Sequence, residues 1–166
     1  TIRYRTSPTA SALQWLAPAH TSGGVHPYLF SQCQAIHARS VVPLQDTPRL
    51  RITYDARLTV PRELTAVMAA AYRGREEAGE TAVESFEMPQ PIPPYLLAFA
   101  VGDIASRDLS PRSRVYAEPA MLDRVAYEYG DVDKMIVAAE SLFGPYDWER
   151  FDILSMPPSF PYGGME

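Results

Sequence analysis

Apolar and polar side chains alternate without a break over residues 50–58. Leu50, Ile52, Tyr54, Ala56 and Leu58 share one face, and Arg51, Thr53, Asp55 and Arg57 share the other. A period of two predicts a strand with one face packed and one face in water, as in antiparallel sheets. Shorter runs predict further extended segments at 2–5, 64–70, 82–88 and 95–101. Turns are expected at Ser22-Gly23-Gly24, at Arg73-Gly74 and through residues 89–94, where Pro and Gly cluster. Before residue 118 only 31–39 has the spacing of a short helical turn. Beyond Gly102 the pattern changes. Residues 112–117 read as a strand. Pro119 then suits a first helical position, Met121, Leu122, Val125 and Tyr129 share a face, and Gly130 can end that helix. Asp131 is placed to cap a second helix with an apolar stripe of Val132, Met135, Ile136, Ala139 and Leu142-Phe143, stopped by Gly144-Pro145. A buried strand is expected at 151–156, closed by Pro157-Pro158. The predicted fold class is mixed: a β-rich part, a boundary near 102–110, then an α/β part.

Composition narrows the function. The 166 residues are 46% hydrophobic and 21% charged, which fits a globular chain and excludes a disordered one. The net charge is −5, and of the 15 basic side chains all but Lys134 are scattered arginines, so no nucleic-acid partner is expected. The longest uninterrupted apolar run, 95–101, is far too short to span a bilayer, and no membrane partner is expected. The single cysteine, Cys33, has no internal partner, so a reducing, cytoplasmic setting is expected. The chain opens at Thr1 without Met and closes at Met165-Glu166 behind a Gly pair, which reads as a cut through a longer sequence.

Few residues here carry chemistry. His20, His26 and His37 are the only histidines, in no His-Glu-x-x-His pattern, so no metal site and no catalytic residue is expected within the chain. Cys33 and His37 lie four apart and could pair as nucleophile and base on a helical turn; a buried, inert thiol is the commoner fate. Gln32 and Gln34 would project to one side of an extended chain, and paired amides can orient a peptide main chain or an ammonium; two surface polar groups are the alternative. Residues 157–166 join a proline-rich approach to Gly163-Gly164 and end on Met165-Glu166. Bare glycine backbone lets a ligand's main chain come close, and a carboxylate behind it can pair with a cation. A Pro/Gly turn with a surface Glu has the same composition.

The heptapeptide Phe160-Pro161-Tyr162-Gly163-Gly164-Met165-Glu166 resembles the Gly-x-Met-Glu-Asn exopeptidase signature of the gluzincin zinc aminopeptidases. With Ser159 before it, this form is similar to the leukotriene A(4) hydrolase and aminopeptidase B branch. Further blocks match that branch in order: Thr6-Ser7-Pro8, Ala12-Leu13-Gln14-Trp15-Leu16, Thr21-Ser22-Gly23, His26-Pro27-Tyr28-Leu29-Phe30-Ser31-Gln32-Cys33-Gln34-Ala35-Ile36-His37, Gln45-Asp46-Thr47-Pro48 and Gly144-Pro145-Tyr146.

The resemblance implies a saddle-like antiparallel β domain, of which residues 1–103 are the later part. Residues 104–166 would then be the beginning of a thermolysin-like zinc peptidase domain. It further implies hydrolysis of the N-terminal residue from peptides, with Glu166 binding the free α-amino group and Gln34 assisting. Gly163, Gly164 and Met165 would lie along the substrate backbone, Pro161 and Tyr162 line the pocket, and Gln32 and Cys33 edge it. One branch of the family also hydrolyses a lipid epoxide. The family's zinc-binding His-Glu-x-x-His helix, its distant zinc-binding Glu and its oxyanion-stabilising Tyr are absent from these residues, as is the Asn that closes the signature. Zinc is therefore expected only in a complete parent enzyme. The 166 residues alone are expected to be inactive, with an apolar face left uncovered where the family's further helices pack. A non-catalytic β-rich peptide-binding module is the alternative.

Overall fold

The computed structural model describes residues 1–161, whose strands form three sheets. The alternating run is strand β3, Ile52–Pro61, longer at its C-terminal end than its pattern because antiparallel pairing with β6 (Thr81–Ile92) continues to Pro61 opposite Thr81. Ile52, Tyr54, Ala56 and Leu58 are half-buried and their alternates exposed, as the period requires. β5 (Ala71–Ala78) flanks β6 on its other side, giving the order β3-β6-β5.

Two expected turns fall inside this sheet. Arg73-Gly74 lies within β5, where Gly74 (φ +137°) takes up a register shift beside Tyr72; the chain reverses instead at Gly79, φ +63°. Both are backbone states that glycine adopts without a steric cost. Residues 89–94 are likewise not one turn, since β6 runs through Pro89 and Pro91 to Ile92. Pairing with β5 has already ended at Glu87, so a proline without an N–H forfeits no ladder bond on that side. A 3₁₀ turn forms only at Pro94–Leu96, which removes the start of the strand expected at 95–101.

The second sheet joins β1 (Leu13–Leu16), β2 (Tyr28–Ser31), β7 (Phe99–Gly102) and β4 (Thr65–Met68) in the order β1-β2-β7-β4, all antiparallel. Tyr28, Phe30, Val67, Ala100 and Ile104 make its core. Gly102 is a requirement of that core: a Cβ there would overlap the ring carbons of the buried Tyr28. Residues 2–5 form no strand, no segment among the described residues pairing with them, and stay exposed. Ser31 ends β2; of the helical turn expected over 31–39, one turn closes where the His37 N–H donates to the Cys33 carbonyl at 2.8 Å, and a 3₁₀ turn follows at Ala38–Ser40.

The third sheet pairs β8 (Ala105–Ser110) antiparallel with β9 (Ser113–Ala117), and β9 parallel with the short β10 (Ile153–Leu154). Parallel neighbours need a crossover, supplied here by α1 (Leu122–Glu128) and α2 (Val132–Phe143). α1 starts after Pro119, which sits in the preceding turn, and Val125 and Ala126 pack on Val115 and Ala117. α2 has the bounds its periodicity predicts and ends at Gly144, φ +94°. Asp131 stands at its N-cap but makes no cap hydrogen bond, because its carboxylate takes the Lys134 ammonium at 2.7 Å. Of the expected stripe only Val132 and Ile136 are buried; Leu142 and Phe143 are 75% and 87% exposed. The mixed fold read from the sequence is therefore present, β-rich first and α/β after.

Candidate functional site

β2 connects the two segments that carry the candidate residues. Residues 32–34 continue directly from its last residue, and Phe30 within it takes the ring of Phe160 edge-on, centroids 5.2 Å apart. The segment after Met156 is tied to the β-rich part by a further hydrogen bond, from Ser159, and is braced within itself by another. Pro157 is fully buried, the Ser159 hydroxyl donates to the His20 carbonyl at 2.7 Å, and the Phe160 N–H donates to the Pro157 carbonyl at 2.9 Å. The Tyr28 hydroxyl reaches the Met156 sulfur at 3.9 Å. Burial, and secondarily the Glu118 carboxylate, raises the pKa of that hydroxyl well above its ordinary value. Pro161 is exposed at the end of this run. Tyr162, Gly163, Gly164, Met165 and Glu166 lie outside the described residues.

The Gln32–Gln34 pair is not the parallel amide pair of an extended chain. Gln32 Oε1 turns back to accept the Gln34 N–H at 2.9 Å, the Gln34–Ala35 peptide is cis, and the Gln34 side chain is exposed. The turn is tied to β1's approach, since the Gln32 N–H donates to the Ala12 carbonyl at 2.8 Å, and Ser40 Oγ accepts the Ala12 N–H at 3.1 Å. Asp46, buried, accepts the Arg39 N–H at 3.0 Å.

Cys33 points the other way, into a core of Ala12, Ala38 and Leu97, and is 2% exposed. The thiol–imidazole pair does not form, for the His37 ring is exposed and its Nδ1 meets Ser11 Oγ at 2.8 Å. Burial first, and the Asp46 carboxylate second, push the Cys33 pKa up to about 11. An inert thiol follows. At pH 7 a thiol reagent is expected to modify native Cys33 at least about 100-fold more slowly than the unfolded chain, and equal rates would contradict its burial. Because the folded pKa is raised, the stability gained from the protonated thiol is complete below its ordinary value of 9.0 and is lost as pH rises through about 11.

Between the three sheets opens a cavity of about 1100 Å³. Phe30, Phe86, Phe99, Tyr116, Pro157 and Phe160 are among its walls, whereas Gln32, Cys33 and Gln34 are not. Two buried carboxylates beside these elements escaped the sequence reading. Glu84 is bound by Arg75, and Glu118 by Ser22. The first was legible in principle, since a hairpin centred on residues 79–80 sets Arg75 opposite Glu84. Nothing local signals the second. Among the described residues no three His, Cys, Asp or Glu side chains could together hold a metal ion. Glu84 and Glu118 already accept from Arg and Ser donors, so the described residues do not fit a zinc site.

A mostly antiparallel β region leads into a β-α-β unit, with the segment from Pro157 to Phe160 seated against both. Residues 1–96 match the Peptidase M1 N-terminal domain, and the chain belongs to that family. It is 46% identical to leukotriene A-4 hydrolase of Xenopus laevis over 164 residues, covering 97% of this chain and 27% of that protein. Aminopeptidase B of Rattus norvegicus is 46% identical over 153 residues, covering 92% of this chain and 23% of that protein. The solved structure of native leukotriene A4 hydrolase from Saccharomyces cerevisiae superposes with a TM-score of 0.85 at 42% identity, covering 97% of this chain and 24% of that one. The chain thus spans about a quarter of the length of the curated relatives it matches. No helix among the described residues is long and apolar enough to cross a membrane.

Proposed function

We propose that this chain is the part of a cytoplasmic zinc aminopeptidase that recognises the free N-terminus of a peptide. In this reading residues 1–103 are the later part of the β saddle domain, and residues 104–166 begin the thermolysin-like peptidase domain. Glu166 receives the substrate α-ammonium and Gln34 assists it. Gly163, Gly164 and Met165 run beside the substrate main chain, Pro161 and Tyr162 line the pocket, and Gln32 and Cys33 border it. The observation that carries the reading is the convergence on β2: the segment holding Gln34 leaves its end, and the segment leading to Glu166 packs on its Phe30.

A carboxylate shielded from water selects N-termini because an internal peptide nitrogen carries no charge to pair with it. Zinc, held by ligands elsewhere in the complete enzyme, would supply Lewis-acid chemistry there. The uncovered face of α2, with Leu142 and Phe143 exposed, is where the remainder of the peptidase domain would pack. Equal identity to a leukotriene A-4 hydrolase and an aminopeptidase B favours neither branch, so epoxide hydrolysis is no part of the proposal.

The test compares a dipeptide with its N-acetylated form, as substrates of the complete enzyme and as ligands of the 166-residue chain. The complete enzyme is expected to cleave the free-amine peptide at least about 100-fold faster, which is about 2.7 kcal/mol of selection; the chain alone is expected to cleave neither. Equal rates on both forms would overturn the amine anchor. Binding without cleavage by the complete protein would establish the peptide-binding module instead.

A further inference from the structure

β3 stands at the end of the order β3-β6-β5, so one side of Ile52–Pro61 has no strand beside it among the described residues. In an antiparallel ladder alternate residues turn their N–H and C=O away from the partner strand. On this side of β3 no other described segment takes up those groups by a main-chain hydrogen bond. The usual protections of an open edge are missing as well. Tyr54 to Val60 keeps unbroken register with β6 and contains neither proline nor lysine; the register shift comes before Tyr54 and the proline after Val60.

The exposed face of this edge carries two charges that the fold leaves poorly matched. Asp55 stands opposite Glu87, a like charge that already holds Arg73 at 2.9 Å, and no cation among the described residues pairs with Asp55. Like charges directly across a ladder are unfavourable. Arg57 meets Glu76 at 3.4 Å with both side chains largely exposed, a contact that contributes little in water.

We infer that this edge pairs with its counterpart on a second copy of the chain, antiparallel about a two-fold axis at Ala56. Asp55 then faces the second copy's Arg57, and Arg57 faces its Asp55, so each charge gains an opposite neighbour. On the half-buried face Tyr54 comes opposite the second copy's Leu58. The two three-stranded sheets continue through the axis as one. Charge also selects the register, because centring the axis on Asp55 or on Arg57 sets like charges face to face.

The test is sedimentation velocity of the complete protein across micromolar concentrations, where an edge pairing of this size is expected to show a monomer–dimer equilibrium. Asp55→Arg alone and Arg57→Asp alone each turn both opposite pairs into like pairs, and each is expected to weaken the dimer at least about tenfold. The double variant Asp55→Arg, Arg57→Asp restores opposite pairs and should dimerise within about threefold of the wild type. An equimolar mixture of the two single variants should form a heterodimer, since every facing pair is again opposite in sign.

A complete protein that stays monomeric at every concentration, as it would if another of its own segments covered β3, overturns the inference. So does a dimer indifferent to the single reversals, or reversals that neither the double variant nor the mixture rescues. Should a reversal variant fail to fold, Ala56→Cys decides instead. Directly opposed Cα atoms lie about 4.5–5.5 Å apart, within disulfide reach, so mild oxidation is expected to give a covalent dimer and a monomeric product would overturn the pairing.

Discussion

Replacing Glu166 by Gln in the complete enzyme is expected to lower kcat/KM on peptides with a free N-terminus by about 100- to 1000-fold. The amide keeps the volume and one acceptor oxygen of the carboxylate but removes the charge. A substrate ammonium brought out of water then has no counter-charge to offset its desolvation, and truncating one partner of such a pair costs about 2–5 kcal/mol. Most of the loss should enter through KM, because the proposed ion pair would form in ground and transition states alike. Part should enter through kcat, because the anchor also fixes which peptide bond stands at the reacting position. N-acetylated peptides have no charge to lose and should be cleaved at their original slow rate, so the ratio between the two substrates collapses. A Glu166→Gln enzyme within about fivefold of wild type would remove Glu166 from the anchor, whatever the fate of Gln34.

The largest effect on stability is expected at Arg75. Its partner Glu84 is 2% exposed, and the guanidinium donates to Glu84 Oε1 at 2.5 Å, to the Leu64 carbonyl at 3.0 Å and to the Arg62 carbonyl at 2.5 Å. Arg75→Met leaves a carboxylate inside the fold without its cation and takes a donor from each of two carbonyls. Breaking a buried pair in this way costs about 3–5 kcal/mol. The Arg75 side chain is 23% exposed, so water can reach the vacated position and the lower end, about 3 kcal/mol, is expected. At about 2–4 °C per kcal/mol for a chain of this size, the melting temperature should fall by about 6–12 °C. The double variant Arg75→Met, Glu84→Leu should recover at least about 1 kcal/mol of that loss, since it removes the stranded charge. A single variant that melts with the wild type, or a double variant less stable than the single, would show that the pair does not hold β5 to β6 as described.

Local chemistry made much of this protein legible. The alternation around Ile52 to Leu58 gave strand β3 and its buried face, because a pleated backbone sends every second side chain the same way whatever it pairs with. The apolar spacing from Val132, with Gly144 behind it, gave α2 with its bounds, because helix period and glycine termination act within one or two turns. Local reasoning failed where a neighbour decided the outcome. Gly74 reads as a turn, yet β6 holds it in a strand. Pro91 reads as a breaker, yet the open side of β6 asks nothing of its missing N–H. Leu142 and Phe143 read as core, yet nothing among the described residues covers them.

The candidate site divides along the same line. The fold class and the family resemblance were present in the sequence alone, since motif blocks and periodicity survive as text. Tertiary structure decided the rest: that Cys33 is buried away from His37, that β2 joins the Gln34 turn to the Phe160 segment, and that Glu118 grips Ser22 from 96 residues away. A hydrogen bond between residues so far apart leaves no periodic trace, because its partners meet only after separate sheets have closed against each other and water has been excluded between them.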